Sequence, residues 1–310
     1  MARPTVTDVH REYVLSNISI AYKNSQYIAS QVAPIVPVEK KSDFYYVYDK
    51  GAWFRDQISV RAPGIRAKQI DYLLTSASYN CINYAIAAGL PDEVRKNADS
   101  PLRPEIEKVE FVTDKLLLGL EVRVASLLTT AGNWASASTV STAWSSDTSD
   151  PFGNIETAIN AVITATGVMP NTAVTSWNVW RYLRNHPDFT ERIKYTRPGG
   201  KLIESDMLDF FGFDKFLVGK TLKDTSLQGQ SASMSYVWGN TFWVGYVPPT
   251  PSLMTPAAMY TFEWMGDEAG SRPVNMYRQE LEHQDLFEVI HWTDEIISSS
   301  ESGALLSGLV

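Results

Sequence analysis

The chain has 310 residues, 44% of them hydrophobic and 20% charged, with a formal net charge of −8. This is globular composition, which excludes a chain disordered throughout; the acidic balance, with no block of Lys and Arg anywhere, argues against holding nucleic acid by phosphate neutralisation. Cys81 is the single cysteine, which excludes an internal disulfide and a thiolate zinc cluster and leaves a buried spectator thiol as its expected role.

Residues 1–42 read as an arm. MARPTVTDVHREY carries charges where a signal peptide needs an apolar core, and no stretch reaches the ~20 apolar residues of a membrane span. The expectation is a soluble protein made in a reducing compartment, where Asn17-Ile18-Ser19 is a chance match to a glycosylation acceptor. A short helix is expected around Val9 to Ser16. From Tyr27 to Val38 the path is expected to be extended, because Pro34 and Pro37 disfavour helix. Ile28, Val32, Ile35, Val36 and Val38 are too apolar for a free tail, so the arm is expected to lie on a surface.

Residues 43–90 are β-like in three pieces, DFYYVYDKGAWF, QISVRAPGIRAKQIDYLL and SYNCINYAIAAGL, punctuated by the turn signals Asp49-Lys50-Gly51 and Ala62-Pro63-Gly64. The middle piece holds Arg55, Arg61, Arg66 and Lys68 and too little apolar surface for a core of its own. A long two-stranded excursion is marginal in isolation, so it must dock or stay mobile. The clearest helix follows, over about 104–131. Ile106, Val109, Thr113, Leu116, Leu120, Val124 and Leu127 recur at helical spacing, Pro104 suits the first turn, and Gly132 suits the end.

A Ser/Thr/Ala loop is expected from Trp134 to Asp150. Residues 153–247 then alternate in the α/β manner: helix GNIETAINAVITATG, strand NTAVTS, helix SWNVWRYLRN capped by Ser176, helix ESDMLDFFG closed by Gly212, and strands DKFLVGKTL, SYVWG and FWVGYV. FWVGY and MYTFEW flank a segment with Pro248, Pro249, Pro251 and Pro256, which bars either strand from continuing through it. Beyond lie AMYTFEWMG, the strand-like VNMYRQELEHQDLFEVIHW, and a weakly determined tail, SSSESGALLSGLV.

Chemistry finds little purchase. GFDKFLVGKT, Gly212 to Thr221, places six residues where a phosphate-binding loop has four, and its interior is strand-like. Gly229 to Ser233, GQSAS, lacks the last glycine of a nucleophile elbow. Neither His10 and His186 nor His283 and His291, the latter two beside Glu280, Glu282, Asp285, Glu288, Asp294 and Glu295, show metal-ligand spacing. Glu204, Asp206 and Asp209 read as capping and dipole partners. No catalytic, cofactor-binding or metal residue is assigned, and the expectation is a protein that is not an enzyme.

Three stretches carry a resemblance: Gly89 to Pro104, GLPDEVRKNADSPLRP; Trp177 to Thr196, WNVWRYLRNHPDFTERIKYT, with its HPD turn; and Trp238 to Phe262, WGNTFWVGYVPPTPSLMTPAAMYTF. In this order they resemble the major capsid proteins of tailed bacteriophages with the Hong Kong 97-like fold. The resemblance implies an α+β chain with an N-arm (1–42), an extended β loop (43–82), a peripheral domain with a spine helix (83–152), an axial domain (153–247), and a return to the peripheral domain plus tail (248–310). The prolines would hold the crossing between axial and peripheral domains extended.

The same resemblance implies self-assembly through pentamers and hexamers into an icosahedral head around double-stranded DNA, with arm and loop lying on neighbouring copies. The expected site is an inter-subunit contact of Arg55, Arg61, Arg66 and Lys68 with Glu280, Glu282, Asp285 and Glu288. Cofactors are not expected. A separate scaffolding protein is expected, since the N-terminus lacks the charged helical leader of some members. Portal and decoration proteins are further expected partners, packaged DNA is touched only weakly, and no membrane is involved. The implied location is the phage head, after synthesis in the host cytoplasm. Lys68 lies where some members cross-link, without an assignable asparagine, so that chemistry is not carried over. The alternatives are an intracellular α/β enzyme or a tail or decoration component.

Overall fold

The computed structural model describes residues 10–11, 27–48, 54–72, 74–98, 103–195, 200–251, 257–266 and 272–310. Along the first third run β1 (His10–Arg11), α1 (Ala29–Val32), β2 (Ile35–Val38), β3 (Ser42–Tyr48), β4 (Leu74–Asn80), β5 (Ile82–Pro91), α2 (Asp92–Lys96) and α3 (Pro104–Thr129). Then come β6 (Ser136–Thr139), α4 (Pro151–Thr166), β7 (Thr172–Ser176), α5 (Trp177–Leu183), α6 (Pro187–Ile193), α7 (Glu204–Phe211), β8 (Lys215–Gly219), β9 (Leu222–Asp224), β10 (Met234–Tyr236) and β11 (Phe242–Gly245). The chain ends through β12 (Met259–Trp264), β13 (Val274–Gln279), β14 (Gln284–Ile297) and β15 (Gly303–Ser307).

One sheet has six strands in the order β1-β13-β14-β12-β2, with β5 also on β14. The 14-residue β14 organises it, pairing with β13 over its first half, with β12 over its second, and with β5 from Gln284 to Thr293. Successive side chains of a strand point to opposite faces, and here Asp285, Phe287, Val289, His291 and Thr293 are the buried ones. Phe287, Val289 and Val274 pack on Val109 and Val112 of α3. At 26 residues, that helix is about 39 Å long. Its far half, Leu120, Val124, Ala125 and Leu128, packs instead on Trp238, Trp243 and the arm residues Ile28, Ala29, Val32 and Ala33.

The other sheet has five strands, β6-β15-β11-β7-β8. Helices cover it around a core that includes Trp144, Ile155, Phe189, Phe216, Phe242 and Leu306. Local chemistry sets their ends. Asp150 accepts from the Gly153 amide (2.8 Å) to start α4, and Ser176 caps α5 at the Val179 amide (3.4 Å). Gly212 closes α7 at φ +69°, a left-handed conformation that suits glycine. β11 and β12 fall in different sheets, so the proline segment is a crossing between them; residues 252–256, Pro256 included, lie outside the described residues.

Several expectations are corrected. Within the helix expected at Val9–Ser16, His10 and Arg11 pair as a strand with Met276 and Asn275, and the other residues of that span lie outside the described ones. Tyr27–Val38 is not extended throughout: α1 forms before Pro34 and ends at Val32, because the proline holds only the residue just before it, Ala33 at φ −114° and ψ 89°, out of the helical region. The arm also docks on its own chain, with β2 parallel to β12 through Ile35↔Thr261 and Val38↔Trp264. In the excursion β3 and β4 pair, whereas 54–72 forms no strand, having no partner of its own. The Asp49-Lys50-Gly51 turn lies outside the described residues. The Ser/Thr/Ala loop contains β6, and the weakly determined tail contains β15, with Ala304, Leu305 and Leu306 buried. Both become strands because each supplies the other's backbone partners. Pro187 opens a further helix, α6, after α5 has ended at Leu183.

Candidate assembly surface

The β3–β4 ribbon is rooted on the six-stranded sheet and then leaves it. At the root the Cys81 amide donates to the Lys41 carbonyl (2.9 Å), and the Asn80 amide donates to Asp294 (2.7 Å). Tyr79 stacks on Phe262 at 4.7 Å between centroids, with Tyr45 at 5.6 Å from the same ring. Burial drives the Cys81 thiol pKa up to about 11, with Asp294 adding, so the thiol is inert as expected of a spectator.

Beyond the root the chain is almost wholly in solvent. Ile58 is 96% and Val60 102% exposed, and Phe54, Ile65, Ile70 and Tyr72 are exposed too. Isolated apolar residues at a surface are ordinary, but six exposed on one 19-residue stretch is a high local density of apolar side chains in water. Arg55, Arg61, Arg66 and Lys68 are exposed among them; Lys68 Nζ reaches the Gln57 carbonyl at 3.4 Å, which ties the two limbs of the loop.

The acidic run divides. Glu280 and Glu282 sit at the tip of the β13–β14 hairpin beside Leu281, which is 99% exposed, and the turn closes through His283 at φ +47°. Glu280 is 3.8 Å from Arg278, and Glu282 accepts from Gln284. Glu288 is half-buried within β14, opposite Asn275 and Ala87. Asp285 is buried and occupied at home: it accepts from Arg278 (3.1 Å) and from Arg95, while Arg278 also grips Asp92 at 2.6 and 2.7 Å. Those bonds, Asp92 first, raise the Arg278 pKa, and the bond from Arg278 lowers that of Asp92. The cause of the corrected placement of Asp285 is strand parity: it shares the inward face with Phe287. Among the described residues, no ion pair joins the loop cations to this run within one chain.

The chemical candidates all have structural work. Gly212–Thr221 contains β8, and Thr221 donates to Glu121 (3.4 Å). Gly229 to Ser233 is an exposed loop between β9 and β10. His186 starts α6: its Nδ1 accepts from the Asp188 amide (3.3 Å), so Nε2 carries the proton and faces the Ser146 carbonyl at 3.1 Å. Asp206 accepts from the Ile203 amide at 2.9 Å, and Glu204 lies 3.9 Å from Lys220. A cavity of about 500 Å³ is lined by Asp147, Ser149, Asp150, Pro187, Asp188, Glu191 and Arg192, of which Asp150 caps α4 and Asp188 accepts from the Phe152 amide. No group of His, Cys, Asp and Glu among the described residues could hold a metal ion.

Two buried polar contacts escaped the sequence. His291 Nε2 lies 2.7 Å from Glu263 Oε1, both beneath α3, and Arg123 on α3 binds both oxygens of Glu295 at 3.0 Å while stacking on Tyr84 at 3.6 Å. Their signal was parity: His291 and Glu295 fall on the same inward face of β14 as Phe287 and Val289.

These features define a mixed α/β chain with a limb, 54–72, that is mostly exposed and meets its own body where the Phe54 ring lies against Gly167. The family model described as phage major capsid protein E matches residues 132–265. The chain is 25% identical over 242 residues to the major capsid protein of Burkholderia phage BcepMu, covering 76% of each chain. It is 25% identical over 230 residues to that of Pseudomonas phage JBD67, covering 73% of each. A crystal structure of a phage-related protein from Bordetella bronchiseptica RB50 superposes with a TM-score of 0.77 at 24% identity, over 96% of this chain and 97% of that one. The capsid structure of cyanophage P-SCSP1u follows at 0.59 and 10% identity, over 92% and 89%. The fold is thus shared with phage capsid proteins, and the two relatives that the chain resembles in sequence are phage major capsid proteins.

Proposed function

We propose that this chain builds the icosahedral head of a phage by self-association through pentameric and hexameric capsomers, and encloses double-stranded DNA. The arrangement is read as Hong Kong 97-like. The six-stranded sheet and α3 serve as peripheral domain and spine helix, the five-stranded sheet as axial domain, the β3–β4 excursion as extended loop, and residues 1–42 as N-arm. β6 and β15 join the axial domain, so 83–152 and 248–310 each contribute to both.

The observation that carries this reading is the 54–72 limb, whose Ile58 and Val60 stand fully in water. A second copy laid beneath it would bury them, and contacts of that kind extend to the obligate class of ~2,000–5,000 Å². The loop cations Arg55, Arg61, Arg66 and Lys68 then meet Glu280, Glu282 and Glu288 of a neighbour. Asp285 is omitted from that set. The charge of −8 supports a container wall that holds DNA only weakly. Scaffolding, portal and decoration proteins are the proposed partners and the virion head the proposed location, reached after synthesis in the host cytoplasm.

Sedimentation and electron microscopy of the purified protein test the reading: closed shells or capsomers are expected, whereas a compact monomer at high concentration would overturn it. Reversal of Arg61 and Arg66 to Glu tests the charge pairing separately. Shell yield is expected to fall, most at low salt, and an unchanged yield there would remove the pairing.

A further inference from the structure

Glu121 sits in the middle of α3 with no exposed surface, an unusual place for a carboxylate. Every contact it makes is with a donor. Oε2 accepts from the amides of Ala29 (2.8 Å) and Ile28 (3.1 Å). Oε1 accepts from the Trp238 indole (2.7 Å), the Ile28 amide (3.2 Å) and the Thr221 hydroxyl (3.4 Å). One oxygen thus serves mainly the arm, the other mainly the body of the five-stranded domain. Among the described residues Glu121 forms no ion pair: Arg123 on the same helix binds Glu295 instead.

We propose that Glu121 couples arm docking to the seating of Trp238, so that loosening either one loosens the other. A buried carboxyl group that accepts from several donors depends on each of them, and removing one leaves a buried oxygen less satisfied. The apolar surroundings reinforce the link, since Ile28, Ala29, Val32 and Ala33 share one buried cluster with Trp238, Leu120 and Val124. Trp238 in turn lies against Gly219 at the end of β8, where a Cβ would come within 2.2 Å of the indole ring. A shift of the indole is therefore felt by the strand that edges the five-stranded sheet. Such coupling is reciprocal by thermodynamic necessity. It is a property of the single chain and stands independently of shell formation.

The test is amide hydrogen exchange on the unassembled full chain. Trp238→Phe removes the indole donor and leaves the carboxylate in place. Exchange at Ile28 and Ala29 is expected to accelerate about tenfold, the change that loss of one charge-assisted hydrogen bond produces. Trp243→Phe is the control, because Trp243 is buried in the same cluster without a bond to Glu121. It is expected to leave arm exchange unchanged. In a Glu121→Ala background, Trp238→Phe is expected to accelerate arm exchange less than it does in the wild-type chain, by what their shared apolar packing alone transmits. Equal acceleration by both tryptophan variants, or by neither, overturns the proposal. If Glu121→Ala fails to fold, the tryptophan pair alone decides.

Discussion

Replacing Ile58 and Val60 with Ser changes two side chains that are 96% and 102% exposed, so the isolated fold has almost nothing to lose. Surface substitutions of this kind stay within about 0.5 kcal/mol, and the thermal midpoint of the unassembled chain is expected to hold. Assembly is different. Covering a Val or Ile side chain completely is worth about 1.5–3 kcal/mol, so the pair contributes ~3 kcal/mol per contact at the lower bound. At 1.4 kcal/mol per decade, the double variant raises the concentration needed for shells by about a hundredfold. Light scattering and sedimentation across a dilution series read that shift, with calorimetry on the same preparations to confirm the fold. Shells forming at the wild-type concentration would refute the reasoning, because the limb would then remain in water after assembly. A lowered midpoint would refute it too, by showing that the limb already packs on its own chain.

Leu306→Ala in β15 removes a side chain that is 4% exposed in the five-stranded core; a loss of about 2–5 kcal/mol is expected in denaturant titration, and a neutral result would exclude the strand from the core. The Glu121 pKa is raised above its ordinary 4.5 by burial, with the donors from Ala29, Ile28, Trp238 and Thr221 pulling it partly back. The native chain therefore keeps this proton to higher pH than the unfolded one, and the associated stability is full below 4.5 and lost as pH rises through the folded pKa. Glu121→Gln is neutral throughout, so its midpoint relative to wild type is expected to improve as pH rises above 4.5, and a constant gap would contradict the raised pKa. Cys81, fully buried with its thiol pushed up to about 11, is expected to resist a thiol reagent at about pH 8 until the chain is denatured; complete labelling of the native protein would be the contrary result.

The parts of the fold that were legible from sequence are those written in local chemistry. Pro104, Ser176 and Gly212 mark helix ends that the structure places at or next to those residues, because capping depends on a few adjacent atoms. The prolines after Gly245 separate two strands that do lie in different sheets. What stayed hidden depends on distant partners. GALLS is a short apolar run that periodicity cannot assign, and its pairing with Phe242–Gly245 is set by residues some sixty positions earlier. Asp285 read as surface charge because alternation marks the two faces of a strand without saying which is covered. Glu121 follows Leu120 on the apolar stripe of α3; a carboxylate there was the available sign of a buried contact, although nothing local names Ile28, Ala29 or Trp238 as its partners.

The position of β15 also bears on how the polypeptide matures on the ribosome. It stands between β6 and β11, and among the described residues β6 has no other neighbour in the sheet. A nascent chain that has emerged only as far as Ile297 therefore holds β11-β7-β8 with β11 as an open edge in addition to β8, and β6 stranded apart. Closure of the sheet waits for Gly303–Ser307, so the five-stranded domain is completed only once those residues have been made.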